Sequence, residues 1–368
     1  MRKFVEQEEK EDGRERQGEK EDPSGIFDKL FCIDDSLKHV SFMSSPRDLI
    51  YLSRSDVVEL RVSIEEVIEV VDEAFQEKAG GNAEVPPKPG IHPRKDAFIH
   101  AMAAYLPKMN SAGIKWVSGF PQNSKRGLPY ISGLLILNDP GTGFPICVMD
   151  CTWVTAKRTG AATAVAARHL ANLDAEKLGI IGCGVQGRSN LEALTVVCKC
   201  LKEVMAYDIS KENLNGYVKE MTDQHELKVN PADSPRKAVE DCDIVVTSGP
   251  ILKHPQPVIE ASWFKAGGFA CPLDFDSYWK PGAMHSMDKF CTDDRDQLAY
   301  YTGQGYFSSI PNVYAELSEI VSGKKPGREE PEERIMSMHL GSAIGDMATA
   351  KLVYDRAKMA EKGTKLPL

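Results

Sequence analysis

No uninterrupted apolar run approaches the roughly 18 residues expected of a membrane span, which leaves the sequence without a transmembrane candidate. Its nine cysteines are scattered from Cys32 to Cys291 without a CxxC pair, so neither a disulfide framework nor a metal site is expected. Cys198 and Cys200 are read as a buried helix and its edge, and a reducing, cytoplasmic setting suits this usage. Positive charge is not in surplus. Against 45 Lys and Arg stand 54 Asp and Glu, giving a net charge of −9 and a pI near 5.5. That balance argues against a general binder of nucleic acid or anionic membranes. The first 22 residues carry charge at 15 positions and lack the apolar core of a secretory leader. Residues 1–25 are therefore expected to form a disordered, charged tail.

What is present is ordinary globular composition, 42% hydrophobic and 27% charged. A chain of 368 residues exceeds what one core usually serves, so two domains are expected. In the stretch RVSIEEVIEVVDEAFQEKAGG, Ser63 can cap a helix whose apolar residues Val67, Val70, Val71 and Phe75 recur every three or four positions. Gly80 and Gly81 end it. The runs AFIHAMAAYL, GIKWVSGFP, YISGLLILND and FPICVMD are short, β-type and punctuated by turn residues, which points to a largely antiparallel sheet. After Asp150 the texture changes. TWVTAKRTGAATAVAARHL is alanine-rich and helical, and from Lys177 strand and helix signals alternate. That alternation reads as a doubly wound parallel sheet. The last long helix, around GSAIGDMATAKLVYDRAK, lies beyond it and is expected to return to the first domain.

Gly182-Cys183-Gly184-Val185-Gln186-Gly187 is a GxGxxG that follows the strand LGII and opens a helix. In that context the motif has a mechanism. Gly182 permits a tight turn, Gly184 lets backbone approach a pyrophosphate, and Gly187 allows close helix–strand packing. The helix N-terminus then faces phosphate charge. The next strand ends in Asp208, where a carboxylate can accept both ribose hydroxyls of NAD and repel the extra phosphate of NADP; Lys211 is the feature that softens this discrimination. Thr247, at the end of DIVVTSG, falls either beneath the adenosine or at a strand end satisfying backbone.

The segments GIKWVSGFPQNSKRGLPYISGLLILNDPGTGFP, TAKRTGAATAVAARHLA and LGIIGCGVQGRSNLEAL, with the ending GSAIGDMATAKLVYDRA, resemble the ornithine cyclodeaminase/μ-crystallin superfamily from about Ile50 to Lys358. The resemblance implies an α/β fold in which a Rossmann-type, doubly wound NAD-binding domain, placed at 161–323, is inserted in a discontinuous α+β domain. The latter, 26–160 plus 324–368, binds substrate and makes a homodimer. It implies hydride transfer between nicotinamide and a carbon bearing nitrogen. Carried over by position, Lys115 matches the lysine beside the substrate carboxylate and reacting nitrogen, and Arg158 the carboxylate-binding arginine. A guanidinium fork suits a carboxylate, and lysine supplies a movable charge. Lys88 of VPPKPG falls where the cyclodeaminase-like members have arginine and the alanine-dehydrogenase-like members have lysine. His100 stands where the latter often carry arginine, and is either a proton carrier or a packed strand residue. The acid implied as general base aligns with Asp276, with Asp274 the competing choice. Asp346 is given a structural role.

These residues support an NAD-dependent dehydrogenase or imine reductase acting on a small amino acid or related amine. A cyclodeaminase that uses NAD catalytically is the alternative, and a non-catalytic crystallin-type ligand binder the third reading. Trp116, Phe120, Trp153 and Tyr278 are expected to shape the substrate pocket.

Overall fold

The computed structural model describes residues 48–368, so the charged tail and the expected start of ordered structure near residue 26 lie outside the described residues. The first half builds a sheet from β1 (Asp48–Leu52), β2 (Gly90–Ile91), β3 (Phe98–Leu106), β4 (Ser111–Gly119), β5 (Ile131–Asn138) and β6 (Pro145–Asp150). Strands β2 to β6 pair antiparallel in sequence order, as their turn-punctuated pattern requires, while β1 joins β6 in parallel. Two helices follow β1: α1 (Arg54–Glu59) and α2 (Ile64–Ala79). Ser63 caps α2 in a reciprocal capping box with Glu66. Val67, Val71 and Phe75 are buried, and Gly81 takes φ +75° just past the end.

The alanine-rich segment is α3 (Thr152–Leu170). It packs against α2 and against α4 (Val185–Val197). Small residues make that closeness possible: a Cβ on Gly160 would lie 2.3 Å from the Ser189 carbonyl oxygen of α4. Beyond α3 come β7 (Lys177–Ile181), β8 (Glu203–Tyr207), α5 (Lys211–Gln224), β9 (Lys228–Pro231), β10 (Ile244–Thr247) and β11 (Phe269–Pro272). They are followed by α6 (Pro281–His285), β12 (Lys289–Thr292), α7 (Arg295–Gly303), β13 (Ala315–Glu316), α8 (Leu317–Val321) and β14 (Ile335–Met338). The strands form one all-parallel sheet in the order β13-β12-β14-β11-β10-β7-β8-β9. The run β9-β8-β7-β10-β11 is the Rossmann arrangement, with its topological switch between β7 and β10.

A nucleotide unit ending at residue 323 would split this sheet, because β14 inserts between β11 and β12 and belongs with them. Chain order alone hides this, since β14 follows β13 yet pairs nearer the centre. The final helix, α9 (Ala343–Met359), returns to the first sheet and packs on β3, β4 and β5. A short β15 (Thr364–Pro367) then pairs antiparallel with β1 at the sheet edge. Among the described residues no helix is long and apolar enough to cross a membrane.

Candidate active site

The glycine loop sits at the switch point. Gly182 has φ +97°, and a Cβ there would lie 2.7 Å from the Ser248 backbone beyond β10. Two strands' loops thus meet where an α/β sheet opens its ligand crevice. A Cβ on Gly187 would strike the Gly182 carbonyl oxygen at 2.3 Å, so this glycine is required for turn and helix to pack. Gly184 differs: it is the N-cap of α4, and a Cβ there would meet nothing within 4 Å. Its open side faces a cavity of about 1090 Å³ that Val185 and Gln186 also line. The Gln186 side-chain oxygen is buried without a partner among the described residues. A helix N-terminus presented to open space fits a dinucleotide pyrophosphate. Asp208 lies just past β8 and accepts the Cys183 N–H at 2.9 Å and the Ser210 N–H at 2.8 Å. Those bonds hold its carboxylate beside the glycine loop.

Across the same cavity stand the basic residues. Strand alternation turns Lys115 of β4 inward, where it is fully buried, and leaves Trp116 46% exposed on the opposite face. Lys115 Nζ donates to Asp346 Oδ1 at 2.6 Å, and Arg158 Nε donates to the same oxygen at 3.0 Å. Asp346 lies in the first turn of α9, where the helix dipole favours a negative charge. Held through Nε, Arg158 keeps both terminal nitrogens free of protein acceptors among the described residues. The position of a Cβ on Gly341 (φ +89°) would be 3.3 Å from Nη1 and 3.6 Å from Lys88 Nζ, so this glycine keeps open the space in front of both cations. Lys88 Nζ donates to the Leu340 carbonyl. Asp293 fixes that loop by accepting the N–H groups of Leu340 (2.9 Å) and Gly341 (2.8 Å).

Burial decides the proton affinities. It pulls Lys115 down to about 8, with Arg158 adding to the effect and Asp346 opposing it. Burial likewise lowers Lys88 to about 7, against the pull of Asp293. His100, stacked on Phe98 at 4.2 Å, is lowered to about 3 by burial and then by Lys88. It therefore stays uncharged at neutral pH. Lys88, Lys115 and Arg158 face two nearby acids, Asp293 and Asp346. Fully protonated, the three cations leave one positive charge for a substrate carboxylate to match.

Several expected residues are placed elsewhere. Asp276 does not line the cavity; it is 3% exposed, and its Oδ1 is buried without a partner among the described residues. Burial raises its pKa. Asp274 is also off the cavity wall and fully buried, with Oδ1 accepting from Thr247 (2.7 Å) and Oδ2 from the Gly249 N–H (2.7 Å). Thr247 therefore spends its hydroxyl on Asp274 rather than on adenosine or backbone. Between the two acids, Phe275 adopts φ +61°, an outlier for an aromatic residue, and it is Phe275 that lines the cavity. Of the aromatics expected to shape the pocket, Trp153 lines it, whereas Trp116, Phe120 and Tyr278 do not. The sequence patterns gave Asp346 a structural role and did not single out Asp293, the acids that hold Lys115, Arg158 and the Leu340–Gly341 loop. Asp346 is conspicuous in hindsight as an acid in an otherwise small and apolar helix start, AIGDMA.

A phosphate-cradling loop on one wall and carboxylate-seeking cations on the other define a dinucleotide-dependent enzyme of the Rossmann class. The ornithine cyclodeaminase/mu-crystallin family model matches residues 48–361. The alanine dehydrogenase of Archaeoglobus fulgidus is 35% identical over 321 residues, 84% of this chain and 95% of that protein. Among solved structures, the Δ1-pyrroline-2-carboxylate reductase of Thermococcus litoralis, in complex with NADH and L-proline, is 33% identical with a TM-score of 0.79. The match covers 86% of this chain and 100% of that one. An archaeal alanine dehydrogenase dimer with bound NAD is 33% identical with a TM-score of 0.76, covering 87% and 99% of the two chains. The chain belongs to the ornithine cyclodeaminase/mu-crystallin family.

Proposed function

We propose that the protein is an NAD-dependent oxidoreductase acting on the C–N bond of a small amino acid or its imine. The observation that carries this reading is the convergence of Lys88, Lys115 and Arg158 on one cavity with Gly184, Val185 and Gln186. Relatives that act on alanine and on Δ1-pyrroline-2-carboxylate support it. Bound NAD supplies a two-electron hydride acceptor, or as NADH a donor, for the carbon that bears nitrogen. Arg158 offers its free guanidinium edge to the substrate carboxylate. Lys115 and Lys88 exchange a proton with the substrate nitrogen, since burial brings both into the neutral range. Asp346 positions Lys115 and Arg158, and Asp293 positions the loop that holds Lys88. Asp208 favours NAD over NADP by like-charge repulsion of a 2′-phosphate.

Residues 177–338 form the nucleotide domain in this reading, and the remaining described residues form the substrate domain. The outward face of the first sheet supports a homodimer. Trp116 and Leu134 lie directly opposite each other there, 46% and 45% exposed, and the next row joins Ile114, Ile136, Val148 and Tyr51. An apolar sheet face of this kind suits a second copy, and light scattering should return twice the 40.6 kDa chain mass. Eight free cysteines among the described residues suit the reducing cytoplasm.

The test is a panel of amino acids with NAD, and of imines with NADH, following NADH and ammonia together. NADH accumulation, or its consumption by an imine, supports the reading. Ammonia release without net NADH identifies a cyclodeaminase instead. Ligand binding without turnover of any compound overturns both in favour of a crystallin-type binder.

A further inference from the structure

The cavity continues outward from the buried cations along an aromatic wall. Lys88 Nζ lies 5.4 Å from the Tyr301 ring centroid, Tyr301 lies 5.4 Å from Tyr306, and Lys253 Nζ lies 5.8 Å from Tyr306. Phe275 braces this wall by packing on Tyr301 at 5.2 Å and on Tyr306 at 5.5 Å. Its left-handed backbone is a strain of the kind that persists where surrounding contacts enforce it. The wall leads from the buried cation cluster to a second, exposed one. At the mouth, Arg94 and Lys95 come from the loop before β3, and Lys253 comes from the loop after β10. All three are exposed, and Asp96, near Tyr306, is the carboxylate among them.

The sign of this lining departs from that of the chain. Seven Lys or Arg residues line the cavity against two Asp, in a protein whose net charge is −9. Concentrating one sign of charge around a low-dielectric cleft focuses the field there and recruits ligands of the opposite sign. The dinucleotide phosphates do not account for the mouth cations. The glycine loop would meet those phosphates with backbone N–H groups, and its nearby arginine, Arg188, is already bonded to the Cys183 carbonyl and to Glu220.

We infer that the substrate is an amino or imino acid with an extended side chain ending in a second anionic group. Its α-carboxylate sits at Arg158, its chain lies along Tyr301 and Tyr306, and its distal anion meets Lys253, Arg94 and Lys95 at the mouth. This inference rests on the oxidoreductase reading above and narrows its substrate class.

The experiment compares kcat/KM within pairs of amino acids, or their imines, that are identical except for a terminal carboxylate or carboxamide, over increasing chain length. The carboxylate member should be preferred by at least about tenfold at the best length. That ratio should fall toward one in Lys253→Met combined with Arg94→Met, and on raising the ionic strength. NAD-linked turnover with no preference, or with preference for the amide or for a neutral aromatic side chain, overturns this inference and leaves the oxidoreductase reading intact. Turnover of other panel members but of none of the pairs also overturns this inference, whereas absence of NAD-linked turnover across the whole panel removes the oxidoreductase reading on which it stands.

Discussion

Asp346→Asn tests how the site is held together. The substitution keeps size and hydrogen-bonding shape but removes the counter-charge shared by Lys115 and Arg158, at 2.6 and 3.0 Å. Lys115 and Asp346 are fully buried and Arg158 nearly so, leaving little solvent to compensate. Removing one partner of a buried ion pair costs about 3–5 kcal/mol. In a domain of this size, each kcal/mol corresponds to a Tm shift of roughly 2–4 °C, so a loss of about 6–20 °C is expected. The same charge supports the Lys115 proton against burial and Arg158. Without it the Lys115 pKa falls below about 8. When Lys115 gives a proton to an imine, activity declines as pH rises through that pKa, so the basic limb should move to lower pH. Calorimetry and a pH–kcat profile of imine reduction measure both effects. A Tm within a degree of wild type, or an unmoved basic limb, would refute the shared counter-ion.

Three further outcomes follow from the same geometry. Lys88 has its folded pKa lowered to about 7 from 10.5, so its burial disfavours folding below pH 7 and that penalty relaxes as pH rises toward 10.5. The Tm difference of Lys88→Met minus wild type should therefore be most positive near pH 6 and shrink by pH 10; a pH-independent difference would contradict the burial effect. Asp276→Asn should leave kcat within a few-fold of wild type, because the carboxylate is off the cavity wall; a fall of roughly 10²–10⁴ would restore it as the acid–base group. Asp208→Ser should lower the NAD over NADP preference in kcat/KM, and a wild type that already prefers NADP would show that Asp208 does not face the ribose.

Much of this candidate site is legible in the sequence. Gly182, Gly184 and Gly187 announce their roles because turn, approach and packing each leave a glycine at fixed spacing. Lys115 and Arg158 are marked by family resemblance and by sitting in apolar surroundings. The counter-ion is harder to read, since Asp346 is 231 residues from Lys115 and 188 from Arg158 along the chain. Nothing in local periodicity couples them. Asp276 lies off the cavity wall for a related reason. Alternation along a strand places Asp274 and Asp276 on one face, but the chain leaves β11 at Pro272, and Phe275 turns through the left-handed region. Trp116 misled by adjacency: next to Lys115 in sequence, it is on the opposite face of the sheet. Strand β14, four residues long, reaches its place between β11 and β12 by long-range pairing that sequence order does not reveal.

The central claim is that Arg158 anchors a substrate carboxylate in the cavity that also holds NAD. The most direct measurement compares Arg158→Lys with wild type on the best substrate of the panel, alongside NAD affinity by titration. Loss of the guanidinium fork should cost about 1.5–3 kcal/mol, a fall in kcat/KM of roughly ten- to a hundred-and-fifty-fold, with NAD affinity retained. Unchanged kcat/KM, or a loss explained by weakened NAD binding, would contradict the account.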